Sequence, residues 1–389
     1  MAAQSKYDWL TVVIAASTSL IPSMMVATLG ISLPEVRESF SLSEVRAGGL
    51  FSTIFIVAVA ASFLAGRISD KISRKTVLVT GVGLLSSGFA LSGLSGNFSM
   101  MLFFMGLTGL GYGFVTPSLY ALMSDLLPGR RGFGSGLVSS FYGIGGLVGP
   151  VLASFIIDRF GWRASFLTLG AIGGSITALE MIGVKSPVKV RSEQPRAASL
   201  RAVNRSLLIL ALAEFFGGTV FWSTASWTPT VLRAAKELTL NETGLVMGLW
   251  GGTTMIGAFL LGALSDRFGR RAVILWTAFP AAAAAFVLYY LLTSAGALAA
   301  GMLIYGTLRA TVPTLVIALA QDTTSSETIG AASGTIMSMH YVAAVTAPLF
   351  AAKIISGTGD MLLAMVLTSS VPLILFGAMI ASVRERKGP

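Results

Sequence analysis

Residues 66–78 read GRISDKISRKTVL, and 196 positions later residues 262–274 read GALSDRFGRRAVI. Glycine, aspartate and a basic pair fall in register in both copies. Recurrence at a fixed distance means that two parts of the chain follow one plan. Other landmarks keep nearly the same offset. Pro117 in TPSLYAL meets Pro313 in VPTLVIAL at 196, Pro34 meets Pro229 at 195, and Pro150 in VGPVLA meets Pro348 in TAPLFA at 198.

The stretches around these loops are apolar. Of the 389 residues 54% are apolar and 11% charged, and the mean hydropathy is +0.80; soluble domains carry about a quarter charged residues. Runs of about 20 uncharged residues cross a hydrocarbon core of about 30 Å. They occur at 9–34, 47–66, 132–157, 243–265 and 361–383, and 164–184, 206–232 and 329–352 are further apolar stretches of that length, the first two holding Glu180 and Glu214. Two longer runs fold back on themselves, 76–124 at SGLSGNFS and 272–320 at TSAGALAAG, and each supplies two spans. The expectation is an all-α membrane protein of twelve spans, numbered here in chain order. Two six-span halves, 1–184 and 206–389, are joined by the polar segment 185–205. An even number of spans per half makes them parallel repeats about an axis along the membrane normal.

Lys and Arg in short loops are retained on the cytoplasmic side. With both termini inside, the cytoplasmic segments hold 19 of the 27 basic residues and the outer segments seven, leaving Arg309 within a span. The net charge of +10 is therefore a topology signal and does not point to nucleic acid. The absence of cysteine excludes disulfides and thiolate chemistry. MAAQSKYDW lacks a cleavage signal, so the first span is expected to be retained in the inner membrane of a prokaryotic cell.

The repeated loop, with the twelve-span plan, resembles the Major Facilitator Superfamily over the whole chain. The signature loop of that superfamily is G-x-x-x-D-R/K-x-G-R-R/K. It is carried here by Gly66, Asp70, Lys71, Arg74 and Lys75, with Ser73 at the usual glycine, and again by Gly262, Asp266, Arg267, Gly269, Arg270 and Arg271. The resemblance implies gating. Asp70 is expected near the N-terminus of span 11, where the helix dipole favours a carboxylate, and Arg74 is expected to reach Asp125 at the end of span 4. Gly145, Gly149 and Pro150 in GIGGLVGPVLA are close to a motif of drug and proton antiporters. They also read plainly as small-residue helix packing. The arginine and aspartate of that subtype would fall at Met105 and Met25, so its usual proton-handling groups are missing.

In such a scaffold the substrate lies near the midplane between the repeats, and ionisable residues inside spans are functional candidates. Glu180 lies near the inner end of span 6, so the N-terminal half offers none at depth; the C-terminal half offers Glu214, Arg309 and His340. At about 1.5 Å per residue, Arg309 and His340 sit at one level, about 16 Å above the inner ends of their helices, and Glu214 at about 12 Å. An arginine there costs about 2.5 to 3.5 kcal/mol on insertion scales. One reading offsets that with a carboxylate substrate held by the planar guanidinium fork. The other pairs Arg309 with Glu214, or with carbonyls loosened where Pro313 lacks a donor. His340 and Glu214 are candidates for proton coupling. Tyr112, Tyr142, Trp222 and Tyr305 are candidates to line the site with Arg309 and His340, and Trp227, Trp250 and Tyr341 are further aromatics that either pack or line it.

Carboxylate carriers of the superfamily hold their anion with basic residues of the C-terminal half, a pattern that Arg309 matches in kind. The expectation is a monomeric secondary transporter that moves a small organic anion by proton symport or exchange with a counter-anion. The alternative is an exporter of drug-like compounds by proton antiport. No catalytic constellation, metal cluster or cofactor motif is expected, and the chain is not read as an enzyme.

Overall fold

The computed structural model describes residues 8–127, 130–184, 204–312, 314–324 and 329–383, with backbone alone for 66, 67, 69–71, 131, 132, 254 and 329–331. The linker up to 203 and Pro313 lie outside the described residues, as do the side chains of Gly66 and Asp70. Every regular element described is helical. The first four spans are α1 (Trp9–Phe40), α2 (Glu44–Lys71), α3 (Arg74–Gly93) and α4 (Phe98–Leu126). The continuous stretch Arg131–Gly183 follows, 53 residues long. A straight helix of that length would extend roughly 80 Å, more than twice the hydrocarbon thickness. It folds back at Gly161, whose φ of 79° and ψ of 165° are open to glycine and strained for other residues. It therefore holds α5 (131–160) and α6 (162–183). The second half comprises α7 (Arg205–Ala234), α8 (Leu240–Phe268), α9 (Arg270–Leu291), α10 (Ala295–Asp322), α11 (Ile329–Thr358) and α12 (Met361–Ser382). Twelve spans result among the described residues.

Helix starts follow side-chain chemistry. Ser73, Asn97, Asn204, Ser294 and Asp360 each accept a hydrogen bond from a first-turn backbone N–H, and Thr239 and Glu242 form a reciprocal capping box. Each such cap contributes about 1 kcal/mol. Ser73 also explains its own departure from the loop signature. Gly269, its repeat mate, turns the chain at φ 90°, whereas Ser73 stays extended at φ −156° and uses its hydroxyl as the cap.

Three spans are interrupted. In α1, Pro22 has no N–H for the Thr18 carbonyl, and residues 18–19 form a tight turn between Trp9–Ser17 and Leu20–Phe40. In α12, Pro372 stands in the same relation to Thr368, and the helix restarts at Ser370. In α10, the first segment ends at Arg309 and the second begins at Thr314.

By internal packing the chain forms two compact units. The first is Met1–Ser41 with Thr53–Ser192, and the second is Leu42–Ser52 with Glu193–Pro389. In the first unit Gly145 and Gly149 let α5 meet α1. A Cβ at 145 would lie 2.5 Å from the Leu20 carbonyl oxygen, and one at 149 would lie 2.8 Å from Met24 Cα. Met25 and Met105 are buried in this unit's apolar core. In the second unit, the N-terminal part of α2 belongs with α11. Ser52 donates to the Val345 carbonyl at 2.6 Å, and Trp227 Nε1 donates to the Pro348 carbonyl at 2.9 Å.

Candidate functional site

Glu214, Gly218 and Phe221 recur at i, i+4 and i+7 and so share one face of α7. Gly218 has no side chain, which allows α11 to approach closely. A Cβ there would lie 2.9 Å from Ala343 Cβ and 3.2 Å from His340 Nδ1. That approach brings His340 Nδ1 to 2.8 Å from Glu214 Oε1. With the carboxylate ionised, Nδ1–H is the donor. The carboxylate is completely buried, and His340 is 7% exposed.

Arg309 approaches the same place from α10. Its Cζ lies 5.0 Å from the Phe221 ring centroid and 5.5 Å from that of Trp250. The His340 ring lies 5.8 Å from that same Phe221 ring and 5.7 Å from Trp222. Arg309 and His340, expected at one depth, thus converge on a single aromatic side chain. His340 makes a direct contact with Glu214. Arg309 is 1% exposed. Two features offset the burial of its charge. It ends a helical segment, where the dipole favours a cation by about 0.3 to 2 kcal/mol, and each desolvated aromatic face adds about 0.5 to 2 kcal/mol.

Tyr305, one turn before Arg309, is fully buried with its hydroxyl 3.1 Å from Thr224 Oγ1. Trp222 is buried against His340, and Tyr341 is in edge contact with it at 6.3 Å. Tyr112 and Tyr142 belong to the first unit. There Tyr112 packs its edge on Phe55 at 5.3 Å, and Tyr142 is half-buried. Phe221 was not legible as a site residue, because nothing distinguishes it in sequence from Phe215 or Phe216. Its position seven residues after Glu214 was the available signal.

The repeat mates of the three ionisable residues are neutral. At offsets of 195, 196 and 198, Glu214, Arg309 and His340 correspond to Ser19, Gly113 and Tyr142. The first unit does hold one buried carboxyl group, Glu180. It is completely buried and accepts a hydrogen bond from Thr18 at the interruption of α1.

A family model described as the Major Facilitator Superfamily matches residues 15–348. The chain belongs to the Major Facilitator Superfamily. The probable sulfoacetate transporter of Cupriavidus necator is 26% identical over 263 residues, which are 62% of this chain and 61% of that protein. The chain thus aligns with somewhat less than two thirds of that relative's length. The 3-(3-hydroxy-phenyl)propionate transporter of Escherichia coli K12 is 25% identical over 94% of this chain and 91% of its own. Among solved structures, a bacterial homologue of the human lysosomal transporter Spinster superposes with a TM-score of 0.76. It is 18% identical, with 97% of this chain and 95% of that one covered.

The signature loops of this superfamily member make matching contacts in the two units. Arg74 Nη1 lies 2.5 Å from Asp125 Oδ1 and donates to the Ala121 carbonyl at 2.7 Å. Arg270 Nε lies 2.9 Å from Asp322 Oδ2. The following basic residue reaches the end of the last helix of its own unit. Lys75 donates to the Met181 carbonyl at 2.8 Å, and Arg271 to the carbonyls of Ile380 and Ala381. These contacts tie helices within one unit. Asp266 and Arg267 are exposed, and Arg267 lies over the Phe268 ring at 5.3 Å. Asp322 was missed in sequence although the repeat pointed to it, 197 positions after Asp125.

Proposed function

We propose that this transporter moves a small organic carboxylate across the cytoplasmic membrane by alternating access, with Arg309 as the anion-binding group. Proton symport or exchange for a second anion supplies the coupling, and both termini face the cytoplasm. The observation that carries the reading is the guanidinium buried at the interruption of α10, against Phe221 and Trp250 and beside the Glu214–His340 pair. A buried cation at a helix end with aromatic walls suits a carboxylate that has an apolar body. The named substrates of the two relatives, sulfoacetate and 3-(3-hydroxy-phenyl)propionate, are organic anions. The loop residues Asp70, Arg74, Lys75, Asp125, Asp266, Arg267, Arg270 and Arg271, with Gly66, Gly262 and Gly269, serve the movement of the halves and not the choice of substrate.

The test is thermal stabilisation of the purified protein by benzoate, 3-(3-hydroxyphenyl)propionate, sulfoacetate, sugars and lipophilic cations. A ligand at 100 times its Kd stabilises by about 2.7 kcal/mol. Stabilisation by a carboxylate that Arg309→Gln abolishes and Arg309→Lys weakens is the expected result. Stabilisation by cations alone would favour the drug exporter. An anion response that survives both substitutions would remove Arg309 from the site.

A further inference from the structure

Helix α12 breaks once inside the second unit, where Met361–Thr368 gives way to Ser370–Ser382. Pro372 permits that break without requiring it, since Pro117 and Pro150 lie inside unbroken helices. Its repeat counterpart α6 runs from 162 to 183 with no such interruption. The restarted segment of 13 residues presents the positive pole of a helix dipole. The N–H groups of Ser370 and Val371 stand outside its own ladder. Ser369, at the cap position, does not use its side chain to satisfy them. Instead the hydroxyls of Ser369 and Ser370 are both buried and make no hydrogen bond of proper geometry among the described residues. Two phenols come to the same place. Tyr289 places its hydroxyl 2.8 Å from Thr228 Oγ1, Tyr305 places its own 3.1 Å from Thr224 Oγ1, and all four residues are buried. Ser369 is a polar neighbour of both phenols. The loops after α7, α9 and α11 share one side of the bilayer, because successive spans alternate in direction. Counted from that side, Thr224 and Tyr305 lie about 15 Å in and Ser369 about 12 Å in.

We infer that the break in α12 is a binding site for a small monovalent anion of the halide class, held by the Ser369 and Ser370 hydroxyls, the first-turn N–H groups and the two phenols. The inference does not depend on the reading of Arg309 as the carboxylate site. Each threonine hydroxyl can donate to its phenol, which frees the phenol O–H for a third partner. The groups that meet at the break therefore supply donors. A buried helix N-terminus favours negative charge and disfavours a cation. Arg309 follows Tyr305 by one turn on α10 and adds a positive charge on the same side of that helix. Glu214 is the one buried acidic side chain among the described residues of this unit, and it stands ten residues before Thr224, about 15 Å away along α7. A water molecule satisfies two hydroxyls, whereas an anion also answers the field of a desolvated helix end. Hydroxyl donors converge on a point and offer no planar fork, so a spherical ion suits them better than a carboxylate.

The experiment uses the full chain purified in chloride-free gluconate, with chloride as the probe at constant sodium and ionic strength. The unfolding temperature should rise and saturate with chloride and with bromide, and sulfate should not reproduce the rise. In the double variant Ser369→Ala, Ser370→Ala the half-saturating chloride concentration should increase at least about tenfold, since each lost bond joined a charged partner. Tyr305→Phe should increase it as well. A wild type with no saturable chloride response would overturn the proposal and leave the hydroxyls to water. A response that survives the double variant and disappears in Arg309→Gln would place the halide at Arg309 and overturn it too. Loss of carboxylate binding in Arg309→Gln with a saturable chloride response retained is the expected pattern, so the two sites fail separately. A second measurement needs no variant. Crystals of the wild type grown in bromide should show an anomalous peak within hydrogen-bond reach of Ser369 Oγ and Ser370 Oγ, and the absence of a peak there would refute the assignment.

Discussion

Gly218→Ala probes the contact on which the site is built. The added Cβ would stand 2.9 Å from Ala343 Cβ, 3.2 Å from His340 Nδ1 and 3.3 Å from His340 Cα. Ordinary van der Waals separation requires α11 to retreat by about half an ångström. That movement stretches the 2.8 Å bond between His340 and Glu214 to about 3.3 Å, beyond the usual range for N–H···O. Overpacking of this kind costs about 1 to 3 kcal/mol. Loss of a bond to a charged group removes about 1.5 to 3 kcal/mol more, if it breaks entirely. The assay is a double-mutant cycle on the unfolding of detergent-purified protein, with Gly218→Ala measured in the wild type and in His340→Ala. The cost should fall by more than about 0.5 kcal/mol in the His340→Ala background, the limit within which independent sites add. The pH profile of uptake should broaden with it. Equal costs in both backgrounds and an unchanged profile would refute the idea that α11 is positioned on α7 through this contact.

Three further outcomes are expected. Arg270→Asp should cost under about 1 kcal/mol, because both partners of its ion pair with Asp322 are partly exposed. The exchange of Arg270→Asp with Asp322→Arg should recover that loss at low salt and not at 1 M salt, read by thermal unfolding. Gly149→Leu should abolish the yield of monodisperse protein, since its Cβ meets Met24 Cα at 2.8 Å, while Gly136→Leu, with nothing within 4 Å of its Cβ, should purify normally. Gly113→Arg should fail to fold, because a Cβ there meets the Ala58 carbonyl oxygen at 2.4 Å, whereas Arg309→Gly should fold and lose anion binding; thermal unfolding of both variants checks this.

The framework was legible because hydropathy and the repeat report on properties that every span shares. Depth was legible too, since rise per residue is constant, and Arg309 and His340 do meet one ring. Which partner Glu214 takes was not, because it depends on which faces of α7 and α11 meet. That choice turns on Gly218, one of 44 glycines in the chain. The interruption of α1 was only half legible. Pro22 marks it, yet Pro117 and Pro150 lie inside unbroken helices, so proline alone does not decide. Without that turn, the burial of Glu180 against Thr18 could not be anticipated. Arg74 and Asp125 were placed together by resemblance, and their counterparts Arg270 and Asp322 follow from the repeat once Asp125 is carried forward.

The neutral mates Ser19, Gly113 and Tyr142 carry a consequence for how such a carrier diversifies. If Arg309 chooses the cargo, as proposed, the other copy can stay unchanged while cargo changes. Chimeras that exchange residues 206–389 between relatives should therefore transfer cargo preference, and exchange of the first six helices should not. Such a chimera must carry residues 42–52 of α2 with the second half, because Ser52 of α2 donates to the Val345 carbonyl of α11.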